Sequence, residues 1–388
     1  MSDVFGQADP AVDVPAVQQA VDAGGTVVLH GTFSFEDVSV AGPDPDESRV
    51  ILVSAAVVIR GEDAKVLGGG SAAQGGRQAV IRVDAPGADV TLEGIRFVGG
   101  HMAAIRVGRA GDLRIADCRI EDLVPSLVTG GPAPQNAALA VDIRGGPFGS
   151  VEILDNRIIH DVNGEDSFGG IFVIGRCDDL RVAGNRIDGS TSHGMDFRNV
   201  AGPARIEDNA IKTGTFGREG TPGNFVNALR LLGTGAYVVE ENRLDCGFRN
   251  AAVVRVAATT GAIVRKNQIV ASVPNDQVPG AQCAGVQVQG SASGNQIIEN
   301  RIRGRSRVAM SVIHSDFPLD KPTGTSGNPT DTTLRKNNHV DFDATLATAE
   351  VGPGAQDTKL IGGGGTIIDE GTGTVIDGGF QVIPIPMP

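Results

Sequence analysis

A chain of 388 residues with a net charge of -13 and a pI near 4.9 is poorly suited to nucleic acid or to an anionic membrane. No stretch reaches the roughly 18 apolar residues that a membrane-spanning helix requires. Gly 55 against Tyr 1 and Trp 0 favours tight turns at short intervals around a narrow core of Val, Ile, Leu and Ala.

The opening segment MSDVFGQADP carries neither a basic start nor an apolar run, so it does not read as a secretory leader. The expectation is a cytoplasmic protein, or a secreted one from which a leader has been removed. Next, Asp13 is placed to cap a short amphipathic helix over VPAVQQAVDAGG, with Pro15 in its first turn and Gly24-Gly25 stopping it. Residues 1–30 then act as a cap, which a solenoid needs at an otherwise open apolar end. A sheet starts at GGTVVLHGTFSF and continues through RVILVSAAVVIRG, AVIRVDAPGADVTLEGIRF and AAIRVGRAGDLRIADCRI.

From Val151 onward one phrase recurs: VEILDNRI, LRVAGNRI, ARIEDNAI, YVVEENRL, IVRKNQI and NQIIENRI. Its turn residues are Asn156, Asn185, Asn209, Asn242, Asn267 and Asn300, spaced by 29, 24, 33, 25 and 33. A period in the mid-twenties with occasional additions marks a solenoid, and period-2 alternation makes each repeat strand. The chain therefore reads as all-β: a single-domain right-handed parallel β-helix of roughly eleven rungs over residues 31–340. Residues 341–388 read as irregular final rungs and a Pro-spaced tail that cannot pair centrally. Asn tolerates the left-handed backbone of a tight turn, and stacked Asn amides can hydrogen-bond from rung to rung. Cys118 stands where other rungs carry Asn and reads as a small buried thiol. Cys177, Cys246 and Cys283 show no metal spacing with it.

Between rungs, long segments leave at 121–137, 160–170, 212–227, 270–284 and 314–332. All follow the Asn turn, so they are expected to wall one groove, where function concentrates. Aligning the strands that follow by their inward apolar pairs leaves an outward row: Arg106, Asp142, Phe172, Asp196, Arg230, Arg255, Gln287 and Ser311, with Arg144 and Arg198 one step further. On this alignment Asp142 and Asp196 are two rungs apart, a separation suited to an inverting glycosidase. The arginines suit a uronate carboxylate. The bland alternative is a solvated ladder of ion pairs worth little. On the functional reading, Asp196→Asn is expected to abolish turnover with little change in melting temperature. Glu165 and Asp166, near His160, are weak candidates for Ca2+, a hard ion that takes oxygen ligands. His30, His101, His314 and His339 are isolated.

From about residue 50 to 340, with the GGTVVLHGTF opening and the AAVVIRGEDAKVLGGG run, the sequence resembles the pectate-lyase-like β-helix superfamily. That resemblance implies a carbohydrate-active enzyme: polysaccharide lyase, glycoside hydrolase or epimerase. SHGMDFRN and ALRLLG look like polygalacturonase motifs, supplying His193, Gly194 and Arg230, although Ser192 and Leu231-Leu232 depart from the pattern. LRKNNHV and TKLIGGGGT look like inulin fructotransferases, which implies a homotrimer. The expected function is cleavage or rearrangement of glycosidic bonds in a poly- or oligosaccharide. Asp196 and Asp142 would be the acid/base pair, supported by His193; Arg230, Arg198, Arg255, Arg144 and Phe172 would hold substrate. The alternative is a non-catalytic glycan-binding or surface-assembly protein.

Overall fold

The computed structural model describes residues 1–36, 38, 40, 49–69, 79–100, 103–123, 137–160, 169–190, 193–213, 227–247, 252–271, 284–314, 326–339 and 341–384. Side chains of 143–147 and 345 also lie outside the description. Most of each segment expected to wall a groove falls outside it, as does the Pro-spaced tail from residue 385.

The chain is built from parallel strands stacked coil upon coil, in two compact units, Met1–Ser192 and His193–Pro388. In the first unit, Val27, Ile59, Leu92, Ile115, Ile153 and Val182 occupy successive coils in one register column, all fully buried. In the second, Phe197, Leu231, Val256, Val288, Val312 and Val351 make an equivalent column. Alternation puts the next residue outward, so the core is a stack of aliphatic layers about 4.8 Å apart.

The start differs from expectation. Strand Ser2–Phe5 precedes the helix and pairs in parallel with Gly25–Ser34, adding a coil edge that the sequence did not announce. The helix runs Pro10–Ala23, and Asp9 rather than Asp13 caps it by accepting the Ala11 N–H at 2.9 Å. Asp13 is buried and accepts backbone N–H groups of Gln7, Asp9 and Ser34, tying the helix to the sheet. Gly24 ends the helix at φ +72°, as the sequence suggested. Paired strands Phe342–Val351, Lys359–Asp369 and Val375–Val382 continue beyond residue 341.

The Asn stack forms in both units. Asn156 donates to Asn185 Oδ1 from its backbone N–H and its Nδ2, both at 3.0 Å. Asn209, Asn242, Asn267 and Asn300 repeat the arrangement, and Asn300 hands on to Asn337, a rung the sequence pattern missed. Cys118 takes the same place, its N–H donating to Asn156 Oδ1, and burial pushes its thiol up to about 12. The left-handed residue, however, is the one before each Asn: Asp155, Gly184, Asp208, Glu241, Lys266, Glu299 and Lys336 all have positive φ. Asn is selected for its amide, not for its backbone.

Two measurements check this account. Asn242→Leu removes the acceptor for two Asn209 donors and the donors to Ile206, Glu240 and Asn267. Buried groups left unpaired cost about 1–3 kcal/mol each, so the unfolding free energy from urea titration should fall by at least about 3 kcal/mol. His160 is buried at the end of strand Arg157–Ile159, and burial lowers its pKa to about 4. The unfolded chain, at about 6.5, takes up the proton first, so stability held above pH 6.5 is lost as pH falls toward 4, by about 3 kcal/mol. His160→Phe should remove that share of the acid-side loss in denaturation curves at pH 7 and pH 4.

Candidate functional site

In the second unit the outward row is realised as an in-register column: Asp196, Arg230, Arg255, Gln287 and Ser311, extended by Glu350. Outward from the core does not mean solvated here. Asp196 is 3% exposed, Arg255 6% and Gln287 2%. Asp196 sits on strand Met195–Arg198, where Gly194 admits the close pass of the chain: a Cβ there would lie 2.6 Å from the Ala228 carbonyl oxygen. The glycine that looks like part of a polygalacturonase motif is thus explained by packing.

Asp196 is clamped from two sides. Arg230 donates Nε to Oδ1 at 2.9 Å and Nη2 to Oδ2 at 2.5 Å, a bidentate pair across one coil step. Arg198, two residues on, donates Nε to Oδ2 at 2.9 Å. Burial alone would raise the Asp196 pKa, but Arg230 and Arg198 outweigh it and hold the carboxyl well below its usual range. Arg255 stands on the far side of Arg230; burial and that neighbouring charge lower its pKa to about 9, against a weaker pull from Asp196. His193 accepts the Asn227 backbone N–H on Nδ1 at 3.1 Å, so a neutral ring carries its proton on Nε2. Burial, followed by Arg230, keeps this imidazole neutral well below its ordinary pKa.

In the first unit the expected alignment shifts by two residues. Ala140, not Asp142, pairs with both Arg106 and Phe172, while Asp142 pairs with Ile174. The cause is that Leu139, Val141 and Ile143 are all apolar, so the alternation fits two phases, and the pairing uses Leu139 and Val141; the register of strand Ala137–Leu154 changes only later, between Ile143 and Phe148. Asp142 is half-buried. Phe172 packs in an apolar cluster with Ala137, Ala140 and Ile174 and offers no open face for a sugar ring. The Arg144 side chain and all of Glu165 and Asp166 lie outside the described residues. Among the described residues no group of three or more His, Cys, Asp or Glu could hold a metal ion.

Asn227 and Glu350 were not legible as site residues. Asn227 lies at the far end of a long connection, 34 residues from the His193 it contacts. Glu350 lies in a stretch whose pattern did not align with the earlier coils. It is buried, burial raises its pKa, and Arg307 donates to its Oε1 at 2.9 Å.

The family model described as right handed beta helix region matches residues 79–302, more than half of the sequence. The chain belongs to the right-handed β-helix family. No curated protein matches it. Among solved structures it is similar to the A-module of an Azotobacter vinelandii mannuronan C-5 epimerase, at 16% identity over 89% of this chain and 95% of that one, TM-score 0.43. An endo-xylogalacturonan hydrolase from Aspergillus tubingensis matches at 11% identity over 100% and 96%, TM-score 0.45. The DFA-IIIase of Arthrobacter chlorophenolicus A6 matches at 14% over 100% and 99%, TM-score 0.49. At these identities the likeness is one of fold. Among the described residues no helix is long and apolar enough to cross a membrane.

The clamp changes what an Asp196 variant should do. Asp196→Asn leaves Arg230 and Arg198 without the anion they share, and breaking a buried pair from one side costs about 3–5 kcal/mol. Its unfolding free energy should therefore fall by that amount, not stay nearly unchanged as the exposed-row reading expected. An unfolding free energy within about 1 kcal/mol of the parent would show that the clamp is solvated.

Proposed function

We propose that this β-helix protein is carbohydrate-active and takes a uronate-bearing poly- or oligosaccharide at the cluster of His193, Asp196, Arg198, Arg230 and Arg255. One observation carries the reading: in a chain of net charge -13, buried Arg198 and partly buried Arg230 pair with one buried carboxylate, buried Arg255 stands next in register to Arg230, and a neutral imidazole lies beside them. Such a cluster gains from a further anion, and guanidinium forks match a sugar carboxylate. Asp196 stays ionised, so it serves as an anchor for the arginines or as a base rather than as a proton donor. Neutralising a uronate while its C5 proton leaves suits a lyase or epimerase better than a hydrolase, which needs a protonated acid.

A second reading, non-catalytic glycan binding, is favoured by the two ion pairs that engage Asp196. Both are tested by incubating the protein with polyuronates and neutral polysaccharides, with Ca2+ and with a chelator. Reducing ends, unsaturated product and changed sugar configuration are read in parallel; Asp142→Asn is run beside the parent. Binding without any product would select the second reading. Light scattering of the same sample tests the expected trimer. Arg255→Gln should lower uronate affinity at least tenfold, a loss of about 1.4 kcal/mol or more. Unchanged affinity would remove the cluster from the binding site.

A further inference from the structure

The Arg of the recurring D-N-R-I phrase is used by none of this. In the first unit it stacks: Lys65 pairs in register with Arg96, Arg96 with Arg119, Arg119 with Arg157, and Arg157 with Arg186. These are outward positions on successive coils, so neighbouring cations sit about 4.8 Å apart at the backbone. Like charges in direct register are destabilising unless something screens them.

The screening is incomplete. Glu121 bridges Arg96 and Arg119, and Asp188 accepts from Arg186 at 2.8 Å. Lys65 and Arg157 make no ion pair among the described residues. Asp155, next to the turn, points away along the turn column, its Oδ1 lying 2.1 Å from where a Cβ on Gly184 would stand. Arg96, Arg119 and Arg186 remain 45%, 43% and 60% exposed, and Arg157 is exposed. A solvent-facing line of cations in an acidic chain opposes the overall charge.

We propose that this line is a track for a linear acidic polysaccharide bound along the first unit, separate from the Asp196 cluster. A chain with one carboxylate per sugar ring carries its charges at a step near the coil spacing, so successive carboxylates meet successive cations. Duplex nucleic acid is a poor match, because it carries a charge every 1.7 Å or so of its axis. The track holds regardless of what the Asp196 cluster does, since it uses none of those residues.

The test is affinity electrophoresis of the whole chain through gels containing alginate, polygalacturonate or dextran, at low and at raised salt. Retardation by both polyuronates, lost at raised salt and absent with dextran, is expected, because exposed pairs are screened within about 10 Å at 0.1 M. Arg157→Gln/Arg186→Gln should weaken retardation roughly tenfold, because two exposed ionic contacts are lost. Melting temperature must stay unchanged or rise, as like-charge repulsion is relieved. Introduced into an Arg255→Gln background, the same double substitution should weaken the remaining retardation by the same factor. The proposal is overturned by unaltered retardation of the double variant, by loss of retardation only in Arg255→Gln, or by tighter binding of a single-stranded oligonucleotide than of either polyuronate.

Discussion

Everything in this molecule depends on stacking one coil on the next without leaving a buried amide unpaired. Strand edges are satisfied by their neighbours in the ladder, but the corner of each coil turns inward and cannot be. The Asn side chain supplies both missing partners at once, since Oδ1 accepts from the coil behind while Nδ2 reaches carbonyls at its own corner and the one before. Because each amide is held by the next, the column is cooperative along its length. The left-handed strain of the corner is carried by a different residue, usually Asp, Glu or Lys, which faces solvent. One residue handles polarity and its neighbour handles conformation.

That rigid stack lets side chains four or five coils apart in space order, but scattered over 150 residues of sequence, stand in one row. In the second unit the row is buried, and burial changes its chemistry. An exposed Asp/Arg pair would be worth little and would titrate normally. Covered, Asp196 is locked as an anion by Arg230 and Arg198, Arg255 is pushed toward neutrality, and His193 is held uncharged. Asp196 in this setting holds no proton to donate. On the open flank of the first unit, the same coil spacing arrays arginines that remain in water.

The family and the strand pattern were legible in the sequence because period and turn chemistry are local. Val, Ile and Leu at alternate positions and an Asn at each corner need no knowledge of the rest of the chain. Asn337 escaped only because Asn338 and His339 blur the phrase, and strand Ser2–Phe5 because four residues are too few to show a period. The Asp196–Arg230–Arg255 column was also legible, since equal strand lengths put those three in phase.

What the tertiary structure alone decided was register where the alternation fits two phases, and burial. Leu139, Val141 and Ile143 satisfy the inward alternation at either of two phases, and the pairing takes the one that puts Ala140 rather than Asp142 in the column, before the register changes between Ile143 and Phe148. Nothing local encodes that choice, because both phases satisfy the alternation. Burial of an outward residue depends on atoms contributed from elsewhere in the chain, so the same Asp–Arg alternation reads alike whether wet or dry. The sequence by itself therefore determined the coil and the order of charges along it, and the packed structure determined which of those charges water can reach.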